Sequence, residues 1–145
     1  AIANPSDTSA SVTVTYYRAD GAVITTDTLT LNAYCKLGRF AVAGTGWIKV
    51  ESTVPIVGML NFDDYRNRMG SIVAVTPLES IIFAHFHQDA SWETFYAFAN
   101  IGSMTTISTT YYRSTGMTGP TSIILATNEK QGQFATSGTG WLMVC

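Results

Sequence analysis

Hydrophobic and polar residues alternate with a period of two along much of the chain, which is the spacing of a β-strand with one buried face. Val12 and Val14 alternate with Thr13 and Thr15, and Thr25–Leu31 continues the same pattern. Threonine is β-branched, so it suits strands and disfavours helices. The pattern therefore predicts an all-β protein.

Three further segments complete the predicted strands. Pro55–Phe62 is apolar at successive positions, as expected of a central strand buried on both faces. Ile81–His87 and Thr94–Asn100 are predicted to pair as a hairpin around Gln88–Ser91. Turns or loops are predicted at Asp20–Gly21, Gly44–Gly46, Asp64–Arg68, Thr115–Gly116 and Gly138–Gly140. Short strands separated by regular turns are typical of a β-sandwich.

The sequence also contains an internal duplication. The tetrapeptide TYYR at Thr15–Arg18 recurs 95 residues later at Thr110–Arg113. FAVAGTGWIKV at Phe40–Val50 recurs 94 residues later as FATSGTGWLMV, and Ala3-Asn4 recurs 96 residues later. The chain thus holds about one and a half copies of a unit of about 95 residues. We predict a first unit, residues 1–78, without its opening hairpin, and a second, residues 79–145, without its closing strands.

A family resemblance rests on FAHFHQDASWETFYAFANIGS, residues 83–103, followed by the TYYR strand. This stretch resembles a family of bacterial secreted modules, which it matches at His85, Asp89, Trp92, Thr94 and Asn100. The first unit, with its VPIV strand, is also similar to the sensory rhodopsin transducer β-sandwich family. The resemblance implies tandem Ig-like β-sandwich units on secreted or cell-surface proteins, and it implies no reaction.

Incomplete sandwich units would expose unpaired strand edges. Three arrangements would cover such edges: the two partial units could merge into one sandwich, the chain could be part of a longer parent chain, or another copy could add strands head to tail and build a filament. The chain begins at Ala1 without an initiator methionine, which suggests a processed or partial chain.

Composition excludes several classes of function. The chain is 46% hydrophobic and 12% charged, so it can bury a core. Its net charge is −2 and it has no basic stripe, so nucleic acid is not an expected partner. It has no apolar stretch of membrane-spanning length. Cys35 and Cys145 could be free, paired with each other or bonded to another chain.

Few residues resemble a catalytic or metal site. His85 and His87 alternate on one predicted strand and are weak metal-site candidates if a carboxylate approaches them. The chain lacks GxSxG, HExxH and CxxC motifs, and its GTG segments lack the lysine of a phosphate-binding loop. We therefore predict no enzyme activity and no cofactor.

The remaining candidates are interaction residues. Tyr17 and Tyr112 alternate away from the predicted core face and are expected to be exposed, where they could bind a glycan or a subunit. The tryptophans beside turns, which are Trp47, Trp92 and Trp141, are expected in the core. The most charged segment is DDYRNR, and its candidate polar contacts are Asp63, Asp64, Arg66 and Arg68.

The predicted function is that of a non-catalytic, extracellular or cell-surface structural module. It would act through contacts with other copies of itself or with a longer parent chain, as a filament subunit completed by strand exchange. Two alternatives stay open: a glycan- or ligand-binding module, and a signalling adaptor of the rhodopsin-transducer type.

Overall fold

The computed structural model describes residues 1–63, 69–74, 78–91 and 93–145. Within these ranges the protein is all-β and contains no helix. The first seven strands are β1 (Ile2–Ala3), β2 (Ala10–Tyr17), β3 (Val23–Leu31), β4 (Lys36–Leu37), β5 (Trp47–Ser52), β6 (Val57–Asp63) and β7 (Met69–Val73). The following six are β8 (Ile81–Gln88), β9 (Phe95–Ala99), β10 (Thr105–Arg113), β11 (Gly116–Leu125), β12 (Lys130–Phe134) and β13 (Gly138–Val144).

The chain divides into two compact units. The first comprises Ala1–Tyr17 with Val23–Thr76, and the second comprises Arg18–Ala22 with Pro77–Cys145. The two units are described separately below. Residues related by the duplication, which lie 94 to 96 positions apart, are called equivalent.

The first unit has two sheets. One has the order β3-β2-β5, and the other has the order β4-β1-β6-β7. Ala10, Val12, Val14, Tyr16 and Leu31 form its buried core. Ile2 of β1 and Leu37 of β4 pack against that core from the other sheet. This two-layer arrangement is consistent with a β-sandwich.

The second unit also has two sheets, with the orders β11-β10-β13-β8 and β12-β9. Its core draws side chains from both. The fully or nearly fully buried members are Phe86, Tyr96, Phe98, Tyr111, Leu125, Ala135, Leu142 and Val144. Strands β2 and β10 are therefore the central strands that carry the duplicated Tyr-Tyr pair in their respective sheets.

The strand patterns read from alternation are confirmed in β2 and β3. Val12 and Val14 are buried, and Leu31 faces the same core while Thr28 and Thr30 are exposed. The β2–β3 and β10–β11 hairpins form at the predicted turns, where Gly21 and Gly116 have φ values of 88° and 124°. Such positive φ angles strongly favour glycine.

A buried asparagine fixes the same corner of each unit. The Asn4 side-chain amide donates to the carbonyls of Thr8, Leu31 and Asn32 at 2.8, 3.1 and 3.2 Å. The equivalent Asn100 donates to three equivalent or nearby carbonyls: Ser103 at 2.7 Å, Leu125 at 3.3 Å and Ala126 at 3.1 Å. Each amide thus donates to one buried main-chain carbonyl at the end of a strand, that of Leu31 or Leu125, and to two part-buried carbonyls beside it.

Three sequence predictions are wrong in detail. β8 and β9 do not form a hairpin, because β8 pairs with β13 while β9 pairs with β12 in the other sheet. Gly138–Gly140 is part of β13 and not a tight connection. The strand predicted at Pro55–Phe62 forms as β6 between β1 and β7, but Met59 and Leu60, on opposite faces, are both exposed.

Candidate functional site

Each unit carries a stacked tyrosine–tryptophan pair on neighbouring strands. Tyr17 lies directly opposite Trp47, and their ring centroids are 4.2 Å apart with 6° between the planes. Tyr112 and Trp141 repeat this geometry at 3.9 Å and 6°. The sequence shows the tyrosine and the tryptophan at equivalent positions in both copies, but only the strand register shows that the two rings of each pair are in contact.

This pairing corrects two expectations about exposure. Tyr17 is only 8% exposed, because the Trp47 ring covers it, and Tyr112 is half-buried beneath Trp141. The two tryptophans are not core residues: Trp141 is 38% exposed and Trp47 is half-buried. Within each stacked pair, the tryptophan is therefore the more accessible ring, contrary to the expectation. Trp92 lies outside the described residues.

His87 uses both ring nitrogens within its own unit. Nε2 lies 2.8 Å from the Asp89 carboxylate, and Nδ1 lies 2.6 Å from the Thr139 hydroxyl. His85 is exposed. The described residues contain no group of three histidine, cysteine, aspartate or glutamate side chains that could hold a metal ion. This geometry therefore adds no set of ligands to support the metal-site hypothesis for His85 and His87.

The Thr139–His87–Asp89 row has the hydroxyl–imidazole–carboxylate order of a hydrolase triad, and sequence reasoning missed it. The contact follows from strand register, because Thr139 lies directly opposite His87 in the β13–β8 pairing. Catalysis also needs oxyanion donors and a bound substrate. The His87 and Asp89 side chains are 38% and 49% exposed, and they lie on an open strand surface. This row is a cross-strand hydrogen-bond network.

A second polar network is buried in the core of the second unit. The hydroxyls of Tyr96 and Tyr111 share a hydrogen bond, and Gln133 donates to the Tyr96 hydroxyl. Burial raises the pKa of Tyr111 far above its ordinary value, and the hydrogen bond between the two hydroxyls is the second cause. Tyr111 is thus a neutral, hydrogen-bonded member of the core.

The charged segment DDYRNR cannot be placed in a site. Asp64, Arg66 and Arg68 lie outside the described residues, and the Asp63 backbone ends β6. Their role in polar recognition stays a prediction.

The most unusual surface is the β6–β7 hairpin. Its cross-strand pairs Met59–Val73 and Leu60–Ile72 lie on opposite faces, because neighbouring residues of a strand point in opposite directions. All four side chains are exposed, from 43% for Met59 to 66% for Val73. A hairpin with apolar side chains exposed on both faces is a surface suited to burial against another polypeptide.

Both units also have open sheet edges within the described part of the chain. β5 ends the sheet of β3-β2-β5, and β9 ends the two-stranded sheet with β12. Edge strands are templates for adding a further strand. The edge of β5 and the β6–β7 hairpin together form the candidate interaction surface of the first unit.

Comparisons with known protein families, with curated proteins and with solved structures find no match to this chain. In the described ranges, no helix is long and apolar enough to cross a membrane.

Proposed function

We propose that this protein is a non-catalytic structural module, built from tandem Ig-like β-sandwich units, that acts through protein–protein contacts at the cell surface or outside the cell. The observation that carries the proposal is the β6–β7 hairpin, which exposes apolar side chains on both faces. Burial of such area is the main favourable term in protein association. The secreted location rests on the resemblance to secreted modules described above.

The pairing of the strands within each unit limits how copies could assemble. Within the described residues, each copy has one strand of the β8 type and one β6–β7 hairpin, and both are already paired inside their own units. If identical copies exchanged these strands, each exchanged strand would cover an edge in one copy and leave its former partner strand uncovered in its own copy. We therefore propose that copies associate face to face through the β6–β7 hairpin, in a repeating assembly.

Sedimentation velocity over a wide concentration range, with negative-stain images of the same samples, tests this proposal. We expect the mass to rise with concentration and the images to show repeating particles. The double variant Leu60→Thr/Ile72→Thr places β-branched residues, which suit strands, at both positions and removes apolar area from one face. It should weaken association by about tenfold or more.

A matched control replaces Met117 and Ile124 of β11 with threonine, since these residues are comparably exposed at 62% and 67%. The control should associate as the wild type does. Compact monomers at every concentration, or equal loss in both double variants, would contradict assembly through the hairpin.

Glycan binding is a second candidate function, and the exposed face of Trp141 favours it. Tyr112 supports that ring from beneath at a centroid distance of 3.9 Å, so the indole has one free, rigid face suitable for stacking on a sugar. Tryptophan fluorescence during titration with an oligosaccharide panel tests this function. Trp141→Ala should abolish any saturable signal change, whereas a response retained in that variant would exclude this surface.

A further inference from the structure

The two units show the same sheet in two states. The sheet β3-β2-β5 of the first unit is equivalent to β11-β10-β13 of the second, and among the described strands only the second sheet continues with an additional strand, β8. The edge of β5 is thus equivalent to an edge of β13 that is covered. The covered edge shows which kind of strand fits the open one.

The main chain of β5 presents hydrogen-bonding groups along that edge. The Thr53 N–H donates to the Ser11 carbonyl at 3.1 Å, which fixes the phase of the β2–β5 ladder. In an antiparallel pair, successive residues direct their main-chain groups alternately toward the partner and away from it. The residues whose N–H and C=O groups point away from β2 are therefore Ile48, Val50 and Ser52.

The second unit has the same phase. Ser108 and Cys145 exchange both main-chain hydrogen bonds, at 2.8 and 3.0 Å. The alternation turns the main-chain groups of Leu142 and Val144 away from β10, and both residues pair with β8. Leu142 and Val144 are equivalent to Ile48 and Val50. The outward groups of β5 are thus the groups that β8 satisfies in the second unit.

A cavity lies beside the open edge. It has a volume of about 70 Å³, and Ile2, Tyr16, Ile48 and Val50 contribute to its lining. Their equivalents in the second unit, which are Phe98, Tyr111, Leu142 and Val144, belong to the buried cluster that contains Phe86 of β8. Phe86 is fully buried there and meets Tyr111 at 5.4 Å between ring centroids. The cavity of the first unit is therefore lined by the counterparts of residues that share a buried cluster with Phe86.

We propose that the edge of β5 is a docking site for an extended segment of β8-like sequence, which pairs with Ile48, Val50 and Ser52 and inserts an aromatic side chain into the adjacent cavity. The proposal deepens the proposed function, on which it rests, by naming the chemistry of one partner. The occupant is an apolar strand with an aromatic residue at the position of Phe86. It comes from polypeptide other than the described strands, because β8 of every copy is already paired with β13.

Amide hydrogen exchange on the full chain, with and without a synthetic peptide of residues 79–89 (ESIIFAHFHQD), tests the site. Without peptide, the N–H groups of Ile48, Val50 and Ser52 should exchange rapidly, whereas those of Leu142 and Val144 should be protected by β8. Saturating peptide should slow exchange at the three β5 positions and leave the two β13 positions unchanged. The experiment is repeated in the Leu60→Thr/Ile72→Thr background, where assembly through the hairpin is weakened.

The peptide itself supplies one control that cannot affect folding. A peptide with alanine at the position of Phe86 should bind about tenfold more weakly or worse, because the aromatic group no longer fills the cavity. A scrambled peptide should not bind. Equal affinity of the alanine and parent peptides would overturn the aromatic insertion.

A second control alters the edge. Val50→Pro removes an outward N–H and should abolish peptide binding. The variant should still fold, because proline is tolerated where an edge-strand N–H faces solvent. Val50→Thr keeps the N–H and the β-branched shape and should bind nearly as the wild type does. Protection of the three β5 amides without peptide in both backgrounds would overturn the proposal that the edge is open. Absence of peptide binding while hairpin-dependent assembly persists would refute this site alone and leave the proposed function standing.

Discussion

The Phe86 ring meets the Tyr111 ring edge to face, with 78° between their planes. The Arg113 guanidinium lies over both rings, at 5.5 Å from the Phe86 centroid and 5.6 Å from the Tyr111 centroid. β8 is therefore held to the second unit by its side chains as well as by its ladder of main-chain hydrogen bonds.

Phe86→Ala should destabilise the second unit by about 3–5 kcal/mol, because it removes a fully buried aromatic side chain and leaves a cavity. Urea unfolding followed by amide exchange in the two units measures the loss. Phe40→Ala is the matched control, since Phe40 is 97% exposed and its removal should change stability by less than about 0.5 kcal/mol. Equal effects of the two substitutions would contradict the burial of β8.

Asn4→Ala and Asn100→Ala should each cost about 2–3 kcal/mol, because each removes a buried side-chain amide and the hydrogen bond that it donates to a buried main-chain carbonyl. The loss from Asn4→Ala should be confined to the first unit and that from Asn100→Ala to the second, as read from exchange of their core amides. Asn32→Ala, at an exposed position, should have little effect. A loss shared equally by both units would show that the asparagines do not act locally.

Gly140→Ala should destabilise the second unit by at least about 2 kcal/mol. A Cβ at this position would lie 2.0 Å from the Tyr112 carbonyl oxygen and 3.2 Å from the Phe86 ring, so main chain would have to move. Gly38→Ala meets no atom within 4 Å and serves as the control. Thermal unfolding of the two variants, measured side by side, gives the difference in stability. If Gly140→Ala unfolds at the wild-type temperature, β13 and β10 lie farther apart than described.

The raised pKa of Tyr111 predicts a loss of stability in alkali. Below the ordinary tyrosine pKa of about 10, both folded and unfolded chains keep this phenol neutral. Above it, only the unfolded chain releases the proton, so the free energy of unfolding falls by up to about 1.4 kcal/mol per pH unit until the folded pKa is reached.

Urea titrations at several alkaline pH values measure that slope. Tyr111→Phe removes the titrating group, and it should flatten the slope while lowering stability near neutrality through the lost hydrogen bond with Tyr96. Tyr34→Phe, at an exposed side chain, should leave the slope as in the wild type. A slope that Tyr111→Phe does not change would assign the alkaline loss to other groups.

Local alternation was enough to predict β2 and β3. Val12 and Val14 on β2 face one core, as their spacing required, and the Gly21 and Gly116 turns follow the two Tyr-Tyr strands. Strands β1, β4, β7, β11 and β12 were not predicted, although β11, with 10 residues, is the longest of the described strands. β1 and β4 have two residues each, too few for a period of two to be recognised.

Pairing between distant strands was the main source of error. β8 and β9 follow one another in the chain, so they were expected to pair, but each satisfies its hydrogen bonds with a strand about thirty to sixty residues later. The candidate site depended on the same information. Alternation placed Tyr17 on the outer face of its sheet, but only the register with β5 shows that Trp47 covers it.

The asparagine corners have a further consequence for where this protein can fold. Each ties the end of a long strand to a neighbouring turn through amide hydrogen bonds, which is a task that many small β-domains give to a disulfide. Both cysteines of the chain, Cys35 and Cys145, are free and exposed. These two cysteines do not cross-link the strand ends, so the hydrogen bonds of the asparagine corners hold those ends without any thiol oxidation.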